Sequence, residues 1–185
     1  MAATESQVCD FGRSAVAFDL FGVDNRRHSL ADIRGEKGTL VMFICNHCPY
    51  VRRIIEPLVQ DVHRLMAEGI GAVAIMPNDT DAYPDDSFEM MRHHAIEWGF
   101  GFPYVIDEQQ TVARAYGAIC TPDFFGYNAD LKLQYRGRFD DGSGGSAGSG
   151  RHELLEAMRQ IAETGEGPRE QTASIGCSIK WRSAA

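Results

Sequence analysis

Two apolar runs on either side of an amphipathic helix pattern constrain the fold of this chain more than any other feature. Residues 40–44 and 70–76 are continuous apolar runs, as is typical of strands covered on both faces. Between them, apolar residues recur at helical spacing from Val51 to Met66, and Pro57 inside this pattern predicts a kink. Such a strand–helix–strand unit predicts a right-handed crossover and a parallel central pair of strands.

Two cysteines lie where the first of these strands meets the helix. Cys45 and Cys48 have the spacing C-x-x-C, and Pro49 follows at a helical position that needs no N–H. Because the first N–H groups of a helix lack partners and carry partial positive charge, a cysteine at a helix start is stabilised as a thiolate. We therefore expect Cys48 to be the attacking thiolate and Cys45 to be the resolving thiol.

The rest of the chain predicts shorter elements around this unit. Thr121-Pro122 precedes the apolar run of an expected hairpin, and the Gly/Ser stretch Gly142 to Gly150 predicts a flexible loop. The apolar tail 175–181 is expected to dock back onto the core. The other predicted elements are a strand at 15–20, a turn at 22–25, a helical turn from Ser29 to Gly35, helices at 87–98, 109–116 and 152–163, and strands at 102–106, 124–127 and 131–135.

Composition and charge exclude several classes of protein. The 185 residues predict one domain over 1–185, and a net charge of −8 without a basic stripe argues against a nucleic-acid partner. No run approaches the length of a membrane span and no leader pattern is visible, so we expect no membrane partner and a cytoplasmic protein. Five cysteines are too few and too oddly spaced for a disulfide scaffold.

The order of these elements resembles a thioredoxin fold over about residues 12–163, with a C-terminal tail at 164–185. Within that fold the chain resembles the redoxins related to alkyl hydroperoxide reductase and thiol-specific antioxidant proteins. The resemblance implies an α/β, thioredoxin-like three-layer sandwich, in which helices flank a central mixed β-sheet after an N-terminal extension. The matching segments are residues 17–20, 43–51, 115–117 and 121–125.

The register of the resemblance selects the nucleophile. In thioredoxin-like proteins the nucleophilic cysteine lies five positions after a strand phenylalanine, and counting from Phe43 gives Cys48. The second cysteine of that motif would fall where this chain has Val51. Cys45 lies near the position where peroxiredoxin motifs carry a threonine that helps to hold the peroxide. The chain therefore departs from both motifs.

The resemblance also predicts the surroundings of Cys48. It implies that Pro122 is cis and that Thr121 offers its backbone to an extended substrate segment, in the manner of strand addition. We place Pro49 and His47 in the same substrate-binding region. The His47 side chain either stabilises the thiolate and moves a proton or is simply solvated. Two additional thiols are candidates for second resolving roles, with packing as the alternative for each: Cys120 and Cys177.

We conclude from the sequence that this is a thiol–disulfide oxidoreductase that needs no cofactor. Its expected partners are protein or small-molecule disulfides and a thiol reductant such as thioredoxin or glutathione, which would give it an antioxidant role in cell redox homeostasis. Peroxiredoxin-like reduction of hydroperoxides is the alternative. Two further classes stay open, a non-catalytic binding module and a zinc site made by Cys45 and Cys48 with Cys120, Cys177 or His47.

Overall fold

The computed structural model describes residues 3–143 and 149–183, which form a mixture of strands and helices. Residues 144–148 of the predicted Gly/Ser loop lie outside them. The strands are Ala3–Glu5 (β1), Asp19–Gly22 (β2), Arg27–Ser29 (β3), Gly38–Phe43 (β4), Ile70–Met76 (β5), Tyr104–Ile106 (β6), Cys120–Thr121 (β7), Asp123–Asn128 (β8), Leu133–Tyr135 (β9) and Ile175–Ser178 (β10). The helices are Leu30–Ile33 (α1), Pro49–Ala67 (α2), Phe88–Glu97 (α3), Thr111–Tyr116 (α4) and Glu153–Thr164 (α5), and Pro84–Asp86 forms a 3₁₀ turn.

A seven-stranded mixed sheet is the centre of the fold. Its strand order is β3-β2-β6-β5-β4-β8-β9, with β4 and β5 parallel at the middle and β8 antiparallel to β4. Side chains of β4 alternate between two hydrophobic cores, as the pleat of a strand requires. Leu40 and Met42 pack with residues of α2 and α5, while Val41 and Phe43 pack with residues of α1 and α4. The predicted α/β three-layer arrangement with a mixed sheet is confirmed.

Helix α2 begins where the sequence predicts. Cys48 is its N-cap, with φ −70° and ψ 121°, and Pro49 occupies the first turn. Its apolar face is buried against the sheet, since Val51, Leu58 and Val62 are fully buried. The helix continues through Pro57 to Ala67, and the kink expected at Pro57 stays a prediction. None of the helices within residues 3–143 and 149–183 is long and apolar enough to cross a membrane.

The N-terminal strands differ from the prediction. The first strand of the mixed sheet covers Asp19–Gly22 rather than 15–20, and the polar strand Arg27–Ser29 beside it was not predicted. This strand lies at the edge of the sheet, where one side faces solvent and an apolar pattern is not required. Its position at the edge therefore explains why no alternating pattern of apolar residues predicts this strand.

A second, three-stranded sheet fixes the C-terminal segment against the mixed sheet. Its order is β1-β10-β7, and both pairings are antiparallel. Cys177 of β10 lies opposite Thr121 of β7 on one side and opposite Ala3 of β1 on the other. The predicted docking of the tail is confirmed, but its role as the central strand of a sheet was not predicted. The pairing brings residue 177 to the N-terminus of α2.

Candidate active site

Cys48 is held at a junction of three elements. As the N-cap of α2 it follows the carboxyl end of β4, and it lies beside the strand β7. In its protonated form its thiol donates a hydrogen bond to the carbonyl oxygen of Thr121 at 3.1 Å. The side chain is fully buried, in agreement with a group placed between a helix start and a covering strand. The position predicted for the nucleophile is thus a closed, structured site.

The charge at this site is concentrated on Cys48. A hydrogen bond from the Cys45 thiol is the largest influence, and together with donors from Cys177 and the Val51 N–H it lowers the pKa of Cys48 to about 5, although burial opposes this. Because Cys45 gives its proton to that hydrogen bond and is also buried, its pKa is raised well above the ordinary value. Cys48 is therefore a thiolate at neutral pH while Cys45 remains protonated.

Three sulfur atoms thus converge, from Cys45, Cys48 and Cys177, and we refer to these residues as the thiol cluster. Burial and then its hydrogen bond to Cys48 raise the pKa of Cys177 to about 11. Cys120 lies next to the cluster, where burial raises the pKa of its thiol, and its sulfur is 3.6 Å from the carbonyl oxygen of Pro122. Cys9 lies apart, against the other hydrophobic core. All five cysteines are free thiols in this structure.

His47 is paired rather than solvated. Its Nδ1 lies 2.6 Å from the carboxylate of Asp86, and its ring stacks on Tyr83 with the centroids 5.7 Å apart. The side chain is only 13% exposed, so of the two alternatives left open by the sequence the simply solvated histidine is wrong. The hydrogen bond to Asp86 raises the pKa of His47, and the negative charge of Cys48 adds to this effect. The other ring nitrogen, Nε2, is buried without a hydrogen-bond partner.

Asp86 organises the loop that carries the cysteines. This fully buried carboxylate accepts the backbone N–H of Asn46 at 2.8 Å, that of His47 at 3.3 Å and the side-chain amide of Asn78 at 2.8 Å. Burial opposes ionisation, but the hydrogen bonds from His47 and Asn78 prevail and lower the pKa of Asp86. The sequence did not single out Asp86, because no local motif links it to a loop 40 residues earlier.

Thr121 and Pro122 lie beside the thiol cluster, as predicted, and the peptide bond between them is cis. The Thr121 hydroxyl lies 3.2 Å from the sulfur of Cys45. The edge of Thr121 that was expected to receive a substrate segment is paired in this structure with β10 of the same chain. The strand that pairs with Thr121 in this structure is therefore β10 of the same chain, in the place where a substrate segment was expected.

A groove opens next to this site. It has a volume of about 370 Å³ and adjoins Pro122, the first turn of α2 and the segment 172–175. Tyr50 and Arg53 line it from the helix, and Arg138 lines it from the opposite side. The groove contains both apolar and charged groups close to Cys48, although the sulfur itself is covered.

Possible metal donors also meet at the site. Within the described part of the chain, two groups place three donor atoms within 4.8 Å of one another: Cys45 with His47 and Asp86, and His93 with His94 and Glu97. The first group contains two of the predicted zinc ligands and adds Asp86, which was not predicted. Its histidine and carboxylate already form an ion pair with each other. Hydrogen bonding thus accounts for this arrangement, and we assign it no metal.

The hydrogen bond from Cys45 can be tested directly. Cys45→Ala is expected to raise the pKa of Cys48 by about one to two pH units, because a hydrogen bond to a charged group contributes about 1.5–3 kcal/mol. Cys45→Ser is the matched control, since its hydroxyl remains able to donate to the thiolate and should keep most of the effect. The measurement is the rate of Cys48 alkylation by iodoacetamide as a function of pH. Identical pH profiles for the alanine and serine variants would contradict this assignment.

Sequence comparison points to one family. A family model described as the AhpC/TSA family matches residues 11–139, which include Cys45, Cys48 and Thr121. No curated protein matches the chain. The matched region ends before α5 and β10, so Cys177 lies beyond it.

Solved structures resemble the whole chain. An uncharacterized conserved protein from Geobacillus kaustophilus is 41% identical, with a TM-score of 0.91 over 100% of this chain and 99% of that one. A hypothetical protein from Sinorhizobium meliloti 1021 is 36% identical, with a TM-score of 0.90 over 98% of this chain and 100% of that one. The thioredoxin domain of a thiol-disulfide oxidoreductase from Bacteroides vulgatus is 19% identical, with a TM-score of 0.58 over 71% of this chain and 89% of that one. At that identity the last comparison shows the fold alone, and the fold is thioredoxin-like.

Proposed function

The chain belongs to the AhpC/TSA family, and from this premise we propose that it is a thiol–disulfide oxidoreductase whose nucleophile is Cys48. The observation that carries the proposal is the N-cap position of Cys48 together with the donors that lower its pKa to about 5. A thiolate at neutral pH is the reactive form of cysteine in exchange reactions. The choice of thiol–disulfide exchange therefore rests on the geometry of Cys48.

The exchange needs two cysteines of the protein and an external disulfide. The Cys48 thiolate attacks one sulfur of the substrate, forming a mixed disulfide and releasing the other half as a thiolate. A second thiol of the protein then attacks the Cys48 sulfur and releases the remaining half. A thiol reductant such as thioredoxin or glutathione restores both cysteines, in a reducing compartment that we propose to be the cytoplasm. The assignment of Cys45 as the second thiol stays a prediction from the sequence.

Hydroperoxide reduction would use the same nucleophile but is less well supported. The threonine that peroxiredoxin motifs use to help hold the peroxide is absent, and Cys45 lies near its position. The Cys45 thiol instead lowers the pKa of Cys48 through its hydrogen bond to that sulfur. Two more thiols close to the nucleophile favour a disulfide as the product of the first half of the cycle.

The two functions are distinguished by the rates with their substrates. We expect fully reduced protein to react rapidly with one equivalent of a small disulfide such as bis(2-hydroxyethyl) disulfide and slowly with one equivalent of hydrogen peroxide. Stopped-flow measurement of thiol loss gives both rates, and peptide mass mapping locates the modified cysteine. Rapid reaction with peroxide and slow exchange with the disulfide would replace the proposed function with thiol peroxidase activity. Lack of reaction at Cys48 with both reagents would favour a binding module.

A further inference from the structure

The C-terminal strand occupies the edge on which a thioredoxin-like protein is expected to receive a substrate segment. Cys177 pairs with Thr121 and Ser178 pairs with Cys120, both antiparallel. The same Thr121 has its carbonyl oxygen 3.1 Å from the sulfur of Cys48. The carbonyl group of Thr121 therefore contacts the nucleophile, and the same residue pairs with the C-terminal strand β10.

The position of β10 is specified by contacts on every side. Its outer edge is paired with β1, and the Ser174 hydroxyl before it donates a hydrogen bond to the carbonyl oxygen of Pro122 at 2.8 Å. After the strand, the Lys180 N–H bonds to the Asn78 side chain at 2.9 Å. Gly176 approaches β7 so closely that a Cβ atom there would lie 2.1 Å from the carbonyl oxygen of Thr121. These contacts fix Cys177 next to Cys48.

We propose that β10 is a built-in substrate strand, and that Cys177 rather than Cys45 closes the disulfide with Cys48. The proposal rests on the proposed function of Cys48 as the nucleophile and adds the identity of the resolving thiol. In this arrangement the cysteine that a protein substrate would present beside Thr121 is supplied by the chain itself. Cys45 then acts as a hydrogen-bond donor that stabilises the Cys48 thiolate.

The reaction balances with a low-molecular-mass disulfide RSSR as the oxidant. The Cys48 thiolate attacks one sulfur, so that the S–S bond of RSSR breaks, a Cys48–SR bond forms and RS⁻ leaves. The Cys177 thiol then loses its proton and attacks the Cys48 sulfur, so that a Cys48–Cys177 bond forms and the second RS group leaves as RSH. Two electrons pass from the two cysteines to RSSR, and the proton of Cys177 ends on the released thiol.

The charges around the two candidate resolving thiols favour Cys177. Two of the three influences that raise the pKa of Cys177 come from Cys48, its hydrogen bond and its negative charge, and both disappear once Cys48 is in a mixed disulfide. The Lys180 ammonium lowers the pKa of Cys177 and stays in place. Both thiols keep the effect of burial, but at Cys45 the repulsion of the Asp86 carboxylate also remains and exceeds the lowering by the Thr121 hydroxyl. Cys177 is therefore the easier of the two to deprotonate at the step that needs it.

The proposal is tested by mapping the disulfide in the full-length protein after one equivalent of bis(2-hydroxyethyl) disulfide. We expect a Cys48–Cys177 peptide from the unmodified chain and from Cys45→Ser, whereas Cys177→Ser should accumulate the mixed disulfide on Cys48. A Cys45–Cys48 peptide, or complete closure in Cys177→Ser, would overturn the proposal and leave exchange through Cys48 intact. Failure of the unmodified chain to form any disulfide at Cys48 would instead overturn the proposed function.

A second variant tests the strand without removing a thiol. Gly176→Ala should push β10 away from β7, because the added methyl group meets the Thr121 backbone, and should slow closure of the mixed disulfide about tenfold or more. The first step, formation of the mixed disulfide, should not slow. Gly101→Ala is the control, since its Cβ would meet only the movable ring of His63, far from the thiol cluster. Closure at the same rate in both variants would show that β10 does not deliver the resolving thiol.

Discussion

Cys48→Ser is expected to reduce disulfide exchange to the rate of the uncatalysed reaction. A serine hydroxyl cannot form a mixed disulfide, and it stays protonated at neutral pH, where Cys48, with a pKa of about 5, is a thiolate. The fold should survive the change, because serine can also serve as an N-cap and can donate to the Thr121 carbonyl oxygen. The measurement is the steady-state reduction of a small disulfide with a dithiol as reductant.

Cys9→Ser is the matched control for this loss. Cys9 is half-buried, and burial raises the pKa of its thiol to about 11, so that it carries no thiolate at neutral pH. It packs against one hydrophobic core, whereas the residues of the thiol cluster belong to the other. The control should retain full activity. Residual exchange in Cys48→Ser, or loss of activity in Cys9→Ser, would contradict the assignment of the nucleophile.

Asp86→Ala is expected to give the largest loss of stability among changes near the site, about 3 kcal/mol in the free energy of unfolding. The substitution leaves the backbone N–H groups of Asn46 and His47, the Asn78 amide and the His47 ring without their acceptor in a buried position. Deprotonation of His47 relieves part of the cost, which is why the expected loss is no larger. Urea denaturation of both proteins measures the difference. Asp85→Ala is the control, because Asp85 is exposed and contributes only its backbone carbonyl to this loop.

The stability difference between the wild type and Asp86→Ala should also depend on pH. The pKa of His47 is raised above its ordinary 6.5 in the folded protein, so the stabilisation from its charge is complete below about pH 6.5 and is lost as the pH rises through the raised value. The pKa of Asp86 is lowered from its ordinary 3.8, so its contribution is present above about pH 4 and is lost as the pH falls through the lowered value. The difference should therefore be greatest between about pH 4 and 6.5. A difference that stays the same when the pH falls below about 4 and when it rises above about 6.5, through the raised pKa of His47, would argue against the ion pair.

The central part of the fold could be predicted because its elements are long and strongly patterned. The second apolar run became β5 with the predicted bounds, Ile70–Met76, and α2 begins at Pro49 as its proline and apolar period indicate. Short elements could be predicted less well from the sequence. The polar edge strand Arg27–Ser29 depends on pairing with β2, which leaves no periodic signal in three residues.

The site was predicted in part, and what was missed depends on contacts distant in sequence. Cys48 and Cys45 could be selected because a helix start and the C-x-x-C spacing are local features. Asp86 could not, since its partners are a loop 40 residues earlier and an asparagine 8 residues earlier. The docking of the tail followed from its apolar character, but its register against Thr121 depends on the close approach at Gly176, which a sequence pattern does not show.

The three-stranded sheet has a consequence for the newly made chain. It joins residues 3–5 to residues 175–177, so it cannot form until residue 177 has left the ribosome. The strand–helix unit that carries Cys48 depends on contacts much closer in sequence and is complete long before that. A nascent chain therefore presents a helix-capping cysteine that β10 does not yet cover. During synthesis the same thiol is open to glutathione or to the thiols of other proteins, and it becomes enclosed only when the last strand arrives.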